Sequence, residues 1–364
     1  MLVGAVGAAG LGAVAAVVGW PVSPAASRST PPGIRSAAAT RVEWSEDSRE
    51  RAFARAAVWR PDATDHKTVT QLDRVVECRF KPDPLNGTTP KFECVTSSGD
   101  TIKVKYANAE PHGEVAATTF LSALGFPADD VRFVKRVRCY GCPRFPFLTM
   151  KLLSLVDAAE RYGRGVDYGT YRDVEWPSVE RKYPGVEITT PAGRGWAFHE
   201  LRKVTGAPRA HVDALRLAAV FLAHWDNKSE NQRLLCIGSD QASLGREECG
   251  QPLAMLQDLG ATFGPRKVNL REWRRAPLWS DRGSCEVSMA DMPHGGATFE
   301  PVRISERGRR FFAERLATLE RRAIRGVFEA ARFPDHDGNP VDEWTDAFEA
   351  RVRQIIEGPA CPES

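Results

Sequence analysis

The run Ala214-Leu215-Arg216-Leu217-Ala218-Ala219-Val220-Phe221-Leu222-Ala223 constrains this chain more than any other stretch. Pro208 precedes it, and a helix from Val212 to His224 would be apolar nearly all round. Such a helix has almost no face to offer water, so a sizeable body must enclose it. The chain can supply that body: it has 364 residues, 42% hydrophobic and 27% charged. Lys plus Arg (50) nearly balances Asp plus Glu (47), for a formal net charge of +3. This balance argues against a dedicated nucleic-acid binder, which needs a basic surface. It also argues against wholesale disorder, which needs low hydropathy or a large net charge.

Ahead of the helix the chain reads as strands. Val75 to Phe80, Lys91 to Thr96 and Ile102 to Tyr106 are short β-like runs separated by turn signals at Asn86-Gly87 and Ser98-Gly99-Asp100, so three antiparallel strands are expected. In the third run, period-two alternation puts Lys103 and Lys105 on one face. Gly113 to Leu124 keeps helical spacing at 117, 120, 121 and 124, and Gly125 is a natural stop. Val131 to Val137 reads as a further strand, and Phe147 to Leu153 as a fifth. After the buried helix, Arg233 to Ile237 and Leu253 to Gln257 are strand-like, and Ser305 to Arg332 is amphipathic with helical period.

Met1 to Ser27 carries no charged side chain, and residues 2–20 are Ala, Val, Gly and Leu almost throughout. That run is long enough for a signal peptide or membrane anchor, and Ser23-x-Ala25 suits a signal peptidase. The expected organisation is therefore a leader at 1–27, a linker and N-terminal extension at 28–67, a strand-rich part at 68–155 and a mainly helical part at 156–364.

Chemistry concentrates where the buried helix ends, at His224-Trp225-Asp226-Asn227-Lys228-Ser229-Glu230-Asn231, and again at Gln257-Asp258-Leu259-Gly260. Asn231 and Asp258 offer oxygens suited to Mg²⁺, a hard cation. Asp226 is then free to orient a substrate hydroxyl and accept its proton. Gly260 would let the chain turn sharply after Asp258. Asp226-x4-Asn231 followed by Asp258-Leu259-Gly260 resembles the catalytic loop and metal-binding motif of the protein-kinase-like superfamily. No His-Arg-Asp triplet precedes the loop, since Trp225 stands before Asp226. The pattern is closer to the atypical branches: HipA-type, phosphoinositide and secretory-pathway kinases.

The resemblance implies an α+β, bilobal protein-kinase-like fold, with a small antiparallel-sheet N-lobe and a larger, mainly helical C-lobe. It implies ATP and Mg²⁺ as cofactors and a hydroxyl-bearing acceptor, whether protein, glycan, lipid or small molecule. It further implies a strand lysine on the phosphates, paired with a helix glutamate. Lys105 is favoured, with Lys103 as the alternative, and Glu114 is the partner. Gly87, Thr88, Thr89 and Lys91 then occupy the phosphate-side turn, which lacks the several glycines of ordinary protein kinases.

Blander roles exist for each residue. Asp226 and Asn231 suit turns, Lys105 a solvated strand face and Glu114 a helix start. The basic residues Arg266, Lys267, Arg271, Arg274 and Arg275 read as a solvated face, and His199 and His224 as structural. The rival functions are a pseudokinase scaffold of the same fold, a nucleotidyl transferase with ATP reversed in the cleft, and a disulfide-bonded exported binding domain.

Cys78 and Cys94 sit nearly symmetrically about Asn86-Gly87, and Cys236 and Cys249 flank a loop between two strands, so each pair is placed to bridge. Cys139-Tyr140-Gly141-Cys142 is a lone C-x-x-C, and no His follows it as in a haem-attachment site. An even cysteine count with an apolar N-terminus points to export, or to extracytoplasmic anchoring through residues 2–20. A cytoplasmic protein with buried thiols is the alternative.

Overall fold

The computed structural model describes residues 22–24, 41–61, 72–293 and 295–362. The elements in chain order are β1 (Val22–Pro24), β2 (Arg41–Glu43), α1 (Glu46–Ala54), β3 (Leu72–Lys81), β4 (Lys91–Thr96), β5 (Thr101–Lys105), α2 (Glu110–Ala123), β6 (Asp130–Tyr140), α3 (Pro146–Ser154) and α4 (Ala159–Arg164). Next come β7 (Thr170–Glu175), β8 (Ser178–Arg181), β9 (Val186–Thr190), β10 (Gly193–Arg194), α5 (Arg209–Leu222), β11 (Gln232–Ile237), α6 (Gln241–Gly245), β12 (Gln251–Leu256) and α7 (Leu270–Arg275). The chain finishes with β13 (Glu286–Val287), β14 (Val302–Arg303), α8 (Glu306–Leu316), α9 (Arg321–Ala330), α10 (Phe333–Asp337) and α11 (Val341–Ile356).

The first sheet runs β1-β7-β6-β3-β4-β5-β8. It closes on itself, because β8 pairs with β5 along one edge and with the N-terminal half of β6 along the other. The expected antiparallel strands are present as β3, β4 and β5. The β3–β6 ladder is parallel, however, which the local pattern did not show. β7 and β8 join this sheet from beyond residue 155, and together they run along β6, interrupted at Trp176 and Pro177. Phe80, Phe92, Cys94, Ile102, Val104, Val137 and Val174 fill its interior.

The fifth expected strand is a helix. Phe147 to Leu153 lies within α3, which opens on Pro146 and buries Met150. A short apolar run cannot be assigned to strand or helix by periodicity alone, and proline is well placed in a helix's first turn.

The buried helix is α5, and every side chain from Val212 to Leu222 is buried. Phe221 meets Phe312 of α8 and Phe348 of α11 edge-on, at centroid distances of 5.8 and 4.9 Å. The long amphipathic stretch after Ser305 is two helices rather than one, because the chain breaks between Leu316 and Arg321. α1 and Trp44 pack into this same large core, where Phe53 is fully enclosed. A second sheet, β10-β9-β11-β12 with β2 beside β9, lies against it.

Four disulfides join Cys78–Cys94, Cys139–Cys142, Cys236–Cys249 and Cys285–Cys361. The first and third are the pairs expected from their placement about turns. Of the expected leader, residues 22–24 pair with β7 as β1, and the remainder lies outside the described residues. Among the described residues, no helix is long and apolar enough to cross a membrane.

Candidate functional site

Lys105 is the last residue of β5, and Glu114 lies in the second turn of α2. Gly125, at φ +84°, ends that helix as its sequence suggested, but the helix begins at Glu110, earlier than the spacing implied. Lys105 Nζ donates to Glu114 Oε1 at 2.7 Å and to Asp258 Oδ1 at 3.1 Å. Residues far apart in sequence thus meet at one ammonium. Lys103 does not join them directly: its Nζ donates to both oxygens of Glu180, each at 3.0 Å. The sequence left two strand lysines open, and the structure pairs only Lys105 with Glu114.

Glu180 was missed by the sequence reading. It stands on β8 opposite Lys103 and is contacted by Lys103 and Lys182, with Lys105 Nζ 3.6 Å away. Lys182 also reaches Asp129 at 2.9 Å and Gln257 at 3.2 Å. The only sequence signal was a short polar–apolar alternation at Ser178-Val179-Glu180, in a part read as mainly helical.

These contacts set the electrostatics. Burial alone would lower the Lys105 ammonium, but Asp258, Glu114 and Glu180 outweigh it and hold it well above its ordinary range. Burial pushes Glu114 up, to about 7, against the pull of Lys105. The Lys105 charge holds the Asp258 carboxyl well below the usual carboxylate range. Burial would raise Glu180, yet Lys103, Lys182 and Lys105 bring it well below its ordinary value.

Asp258 follows β12 with φ +51°, a left-handed conformation that Asp tolerates better than most residues. Gly260 lies in the expected turn after Asp258, and it has a second job. A Cβ there would come 2.0 Å from Glu110 Cγ, so glycine is needed for the start of α2 to approach the Asp258 loop. Glu110 also accepts from Thr89 Oγ1 and, at 2.9 Å, from Lys267 Nζ. It therefore ties the β3–β4 turn to the segment after Asp258. In that turn Gly87 has φ +95°, and a Cβ on it would stand 3.1 Å from Lys91 Nζ, so the Lys91 ammonium lies over the glycine. Thr88 is exposed, whereas Thr89 is buried and committed to Glu110. Of the basic run, Lys267 is paired with Glu110, Arg266 with Glu272 and Arg274 with Glu343.

α5 ends on Ala223 in the left-handed conformation, and the loop with Asp226 follows. Asn231 Nδ2 donates to the Asp226 carbonyl at 2.6 Å, closing the loop on itself. Asn227, another residue the sequence did not single out, fixes it from outside: its Oδ1 accepts from the Thr298 and Phe299 amides at 2.8 and 2.9 Å. Gln232 pairs with Leu256, and the Gln257 amide donates to the Asn231 carbonyl at 2.9 Å. Asn231 and Asp258 therefore flank the same end of the β11–β12 pair. His224 is fully buried and burial pushes it down to about 4, so it is neutral at pH 7.

The donor set fits a hard divalent cation. The Asn231 bond uses the amide nitrogen and leaves Oδ1, while the Lys105 bond uses Oδ1 of Asp258 and leaves Oδ2. Among the described residues, no group of three or more His, Cys, Asp or Glu could hold a metal alone. Mg²⁺ asks for less, because one or two protein oxygens plus substrate phosphates and water complete its shell.

No family model matches the chain, and no curated protein matches it. Among solved structures it is similar to a Helicobacter pylori proinflammatory kinase, CtkA, at 9% identity and a TM-score of 0.41, covering 78% of this chain and 95% of that one. It is also similar to the Golgi casein kinase with Mn and ADP bound, at 11% identity and a TM-score of 0.37, covering 86% of this chain and 80% of that one. A second structure of the Golgi casein kinase gives 11% identity, a TM-score of 0.38 and the same coverage.

Proposed function

We propose that this chain is an atypical kinase, transferring the terminal phosphoryl group of ATP to a hydroxyl acceptor with Mg²⁺ present. The observation that carries the reading is the meeting of Lys105, Glu114 and Asp258 at one buried ammonium. A scaffold has no need to hold a buried lysine between a helix carboxylate and a loop carboxylate. A phosphotransferase does, because the lysine must be charged and fixed before phosphate arrives.

Lys105, held by Glu114, binds nucleotide phosphate oxygens. Lys91 and the backbone about Gly87 close over them from the β3–β4 turn. Asn231 and Asp258 would hold Mg²⁺, which would supply positive charge against the phosphates. Asp226 orients the acceptor hydroxyl and accepts its proton as the new P–O bond forms and the bond from the terminal phosphorus to the departing ADP breaks. The barrel and the helical body act as two lobes about this cleft. The four disulfides support an oxidising, extracytoplasmic compartment.

The test is ATP turnover and acceptor labelling, followed by mass spectrometry. The wild type is expected to add a phosphate mass, and Asp226→Asn, checked for folding by circular dichroism, to be slower by about 10²–10⁴-fold. A nucleotidyl mass on the acceptor would assign the reversed orientation of ATP. Full activity in Asp226→Asn would remove Asp226 from the chemistry.

A further inference from the structure

One face of β5 carries two lysines, yet Lys105 and not Lys103 meets Glu114. Cross-strand register shows what sorts them. Residues directly opposite in a ladder share one face of the sheet. Across β3, β4, β5 and β8 one such row reads Lys81, Glu93, Lys103 and Glu180. Its charges alternate, and it closes in two pairs: Lys81 donates to Glu93 at 2.9 Å, and Lys103 to both oxygens of Glu180 at 3.0 Å. The next row reads Lys91, Lys105 and Ser178 across β4, β5 and β8. That row holds no acid, so the Lys105 ammonium finds its carboxylates outside it, on α2 and in the Asp258 loop.

The sorting turns on Glu180. Its side chain is 2% exposed, against 20% for Lys103. Lys105 Nζ stands 3.6 Å from the same carboxylate, so the two ammoniums are neighbours across it. Glu93, the other acid in the Lys103 row, already takes Lys81. With Glu180 neutral, the acid whose charge next reaches Lys103 is Asp258, which already holds Lys105. Desolvation offsets much of the attraction in a buried ion cluster, so such a cluster is weak evidence for stability. The best-attested use of buried charges is to select one arrangement over another.

We propose that Glu180 is a positioning residue: by holding Lys103 it reserves Glu114 and Asp258 for Lys105. On the reading that Lys105 binds nucleotide phosphate, on which this role rests, Glu180 thereby fixes the phosphate-binding ammonium without touching nucleotide itself. Glu180 matters because Lys103 is there to be held, so removing both charges restores what removing one disturbs.

Two variants of the full chain test this. Glu180→Gln frees Lys103 and keeps the size of the side chain. Glu180→Gln/Lys103→Met also removes the competing cation, and the neighbours keep partners: Lys182 keeps Asp129 at 2.9 Å and Gln257 at 3.2 Å, and Glu93 keeps Lys81. Titration with ATP and Mg²⁺ is expected to show binding about 10–100-fold weaker in Glu180→Gln, the range usual when an outer partner of a ligand-binding group is removed, and a return to near the wild-type value in the double variant. Urea unfolding accompanies it, because a purely structural Glu180 would move the unfolding midpoint and leave the ATP affinity of the folded protein alone. Unchanged affinity in folded Glu180→Gln, or affinity still lost in the double variant, would overturn the proposal. If Glu180→Gln alone does not fold, the double variant decides by the same measure. A second readout uses no nucleotide: trace acetylation with acetic anhydride, mapped by mass spectrometry. Lys105 is expected to label faster in Glu180→Gln than in wild type or the double variant, and equal Lys105 labelling in all three would overturn the proposal. If labelling follows the expected order while wild type binds no ATP, the positioning of Lys105 by Glu180 holds and the phosphate-binding reading of Lys105 falls.

Discussion

Replacing Lys105 with Met removes the cation on which Glu114 and Asp258 converge. The Lys105 and Glu114 side chains are 1% and 2% exposed, so no water stands ready to replace the ammonium. Glu180 keeps Lys103 and Lys182 as partners, but Glu114 is left as a buried carboxylate whose one ion-pair partner among the described residues is gone. Breaking a buried pair in this way costs about 3–5 kcal/mol. The sign of the pH dependence follows from Glu114. Its folded-state pKa is already raised, to about 7, so the folded state binds more protons there than the unfolded state. Stability therefore falls as pH rises from the unfolded carboxylate value toward the folded one. Without Lys105 the folded value moves higher still, and the fall continues beyond pH 7. At about 1.4 kcal/mol per pH unit, the variant is expected to lose about 1 kcal/mol more, relative to wild type, at pH 8 than at pH 6. In the wild type Asp258 and Glu180 both lie far below this window, so the wild-type slope there comes from Glu114 rather than from them. Urea unfolding at the two pH values measures it. A variant as stable as wild type, or a loss that is equal at both pH values or larger at pH 6, would refute the reasoning.

Gly260→Ala places a methyl group 2.0 Å from Glu110 Cγ, so about 1–3 kcal/mol of destabilisation is expected by chemical denaturation, together with loss of turnover as α2 shifts. The Cys285→Ser/Cys361→Ser variant opens a loop spanning 76 residues of sequence separation and is expected to lose about 2–4 kcal/mol in urea, with little change in nucleotide affinity because neither residue contacts Lys105, Glu114 or Asp258.

Local patterns in the sequence carried much of the fold. The strands with turn signals, the fully apolar α5 and the paired cysteines about Asn86-Gly87 all follow from short-range rules, and each is in place. α3 was read as a strand because Phe147 to Leu153 is apolar at every phase except Thr149 and Lys151, which leaves no period to read. The parallel β3–β6 ladder and the closure through β8 depend on long-range pairing that no local pattern encodes. The site divides in the same way. Motif order named Lys105, Glu114 and Asp258, whose side chains meet, and Asp226 and Asn231, which share one loop. Glu180 was not named, since its importance comes from three lysines that reach it from β5 and from just beyond β8. Gly260 stands in the turn expected of it, whereas the close approach by Glu110 that also requires glycine there is invisible in sequence.

The most direct test of the central claim is ATP binding followed by thermal shift, with and without Mg²⁺, in wild type, Asp258→Asn and Asp226→Asn. Binding to the folded state raises the melting temperature as ligand is added. Wild type and Asp226→Asn are expected to be stabilised by ATP with Mg²⁺ and much less without it, and Asp258→Asn to lose the Mg²⁺-dependent part. An ATP shift that ignores Mg²⁺ in wild type, or that survives unchanged in folded Asp258→Asn, would contradict a metal-dependent phosphotransfer site at Lys105, Glu114 and Asp258.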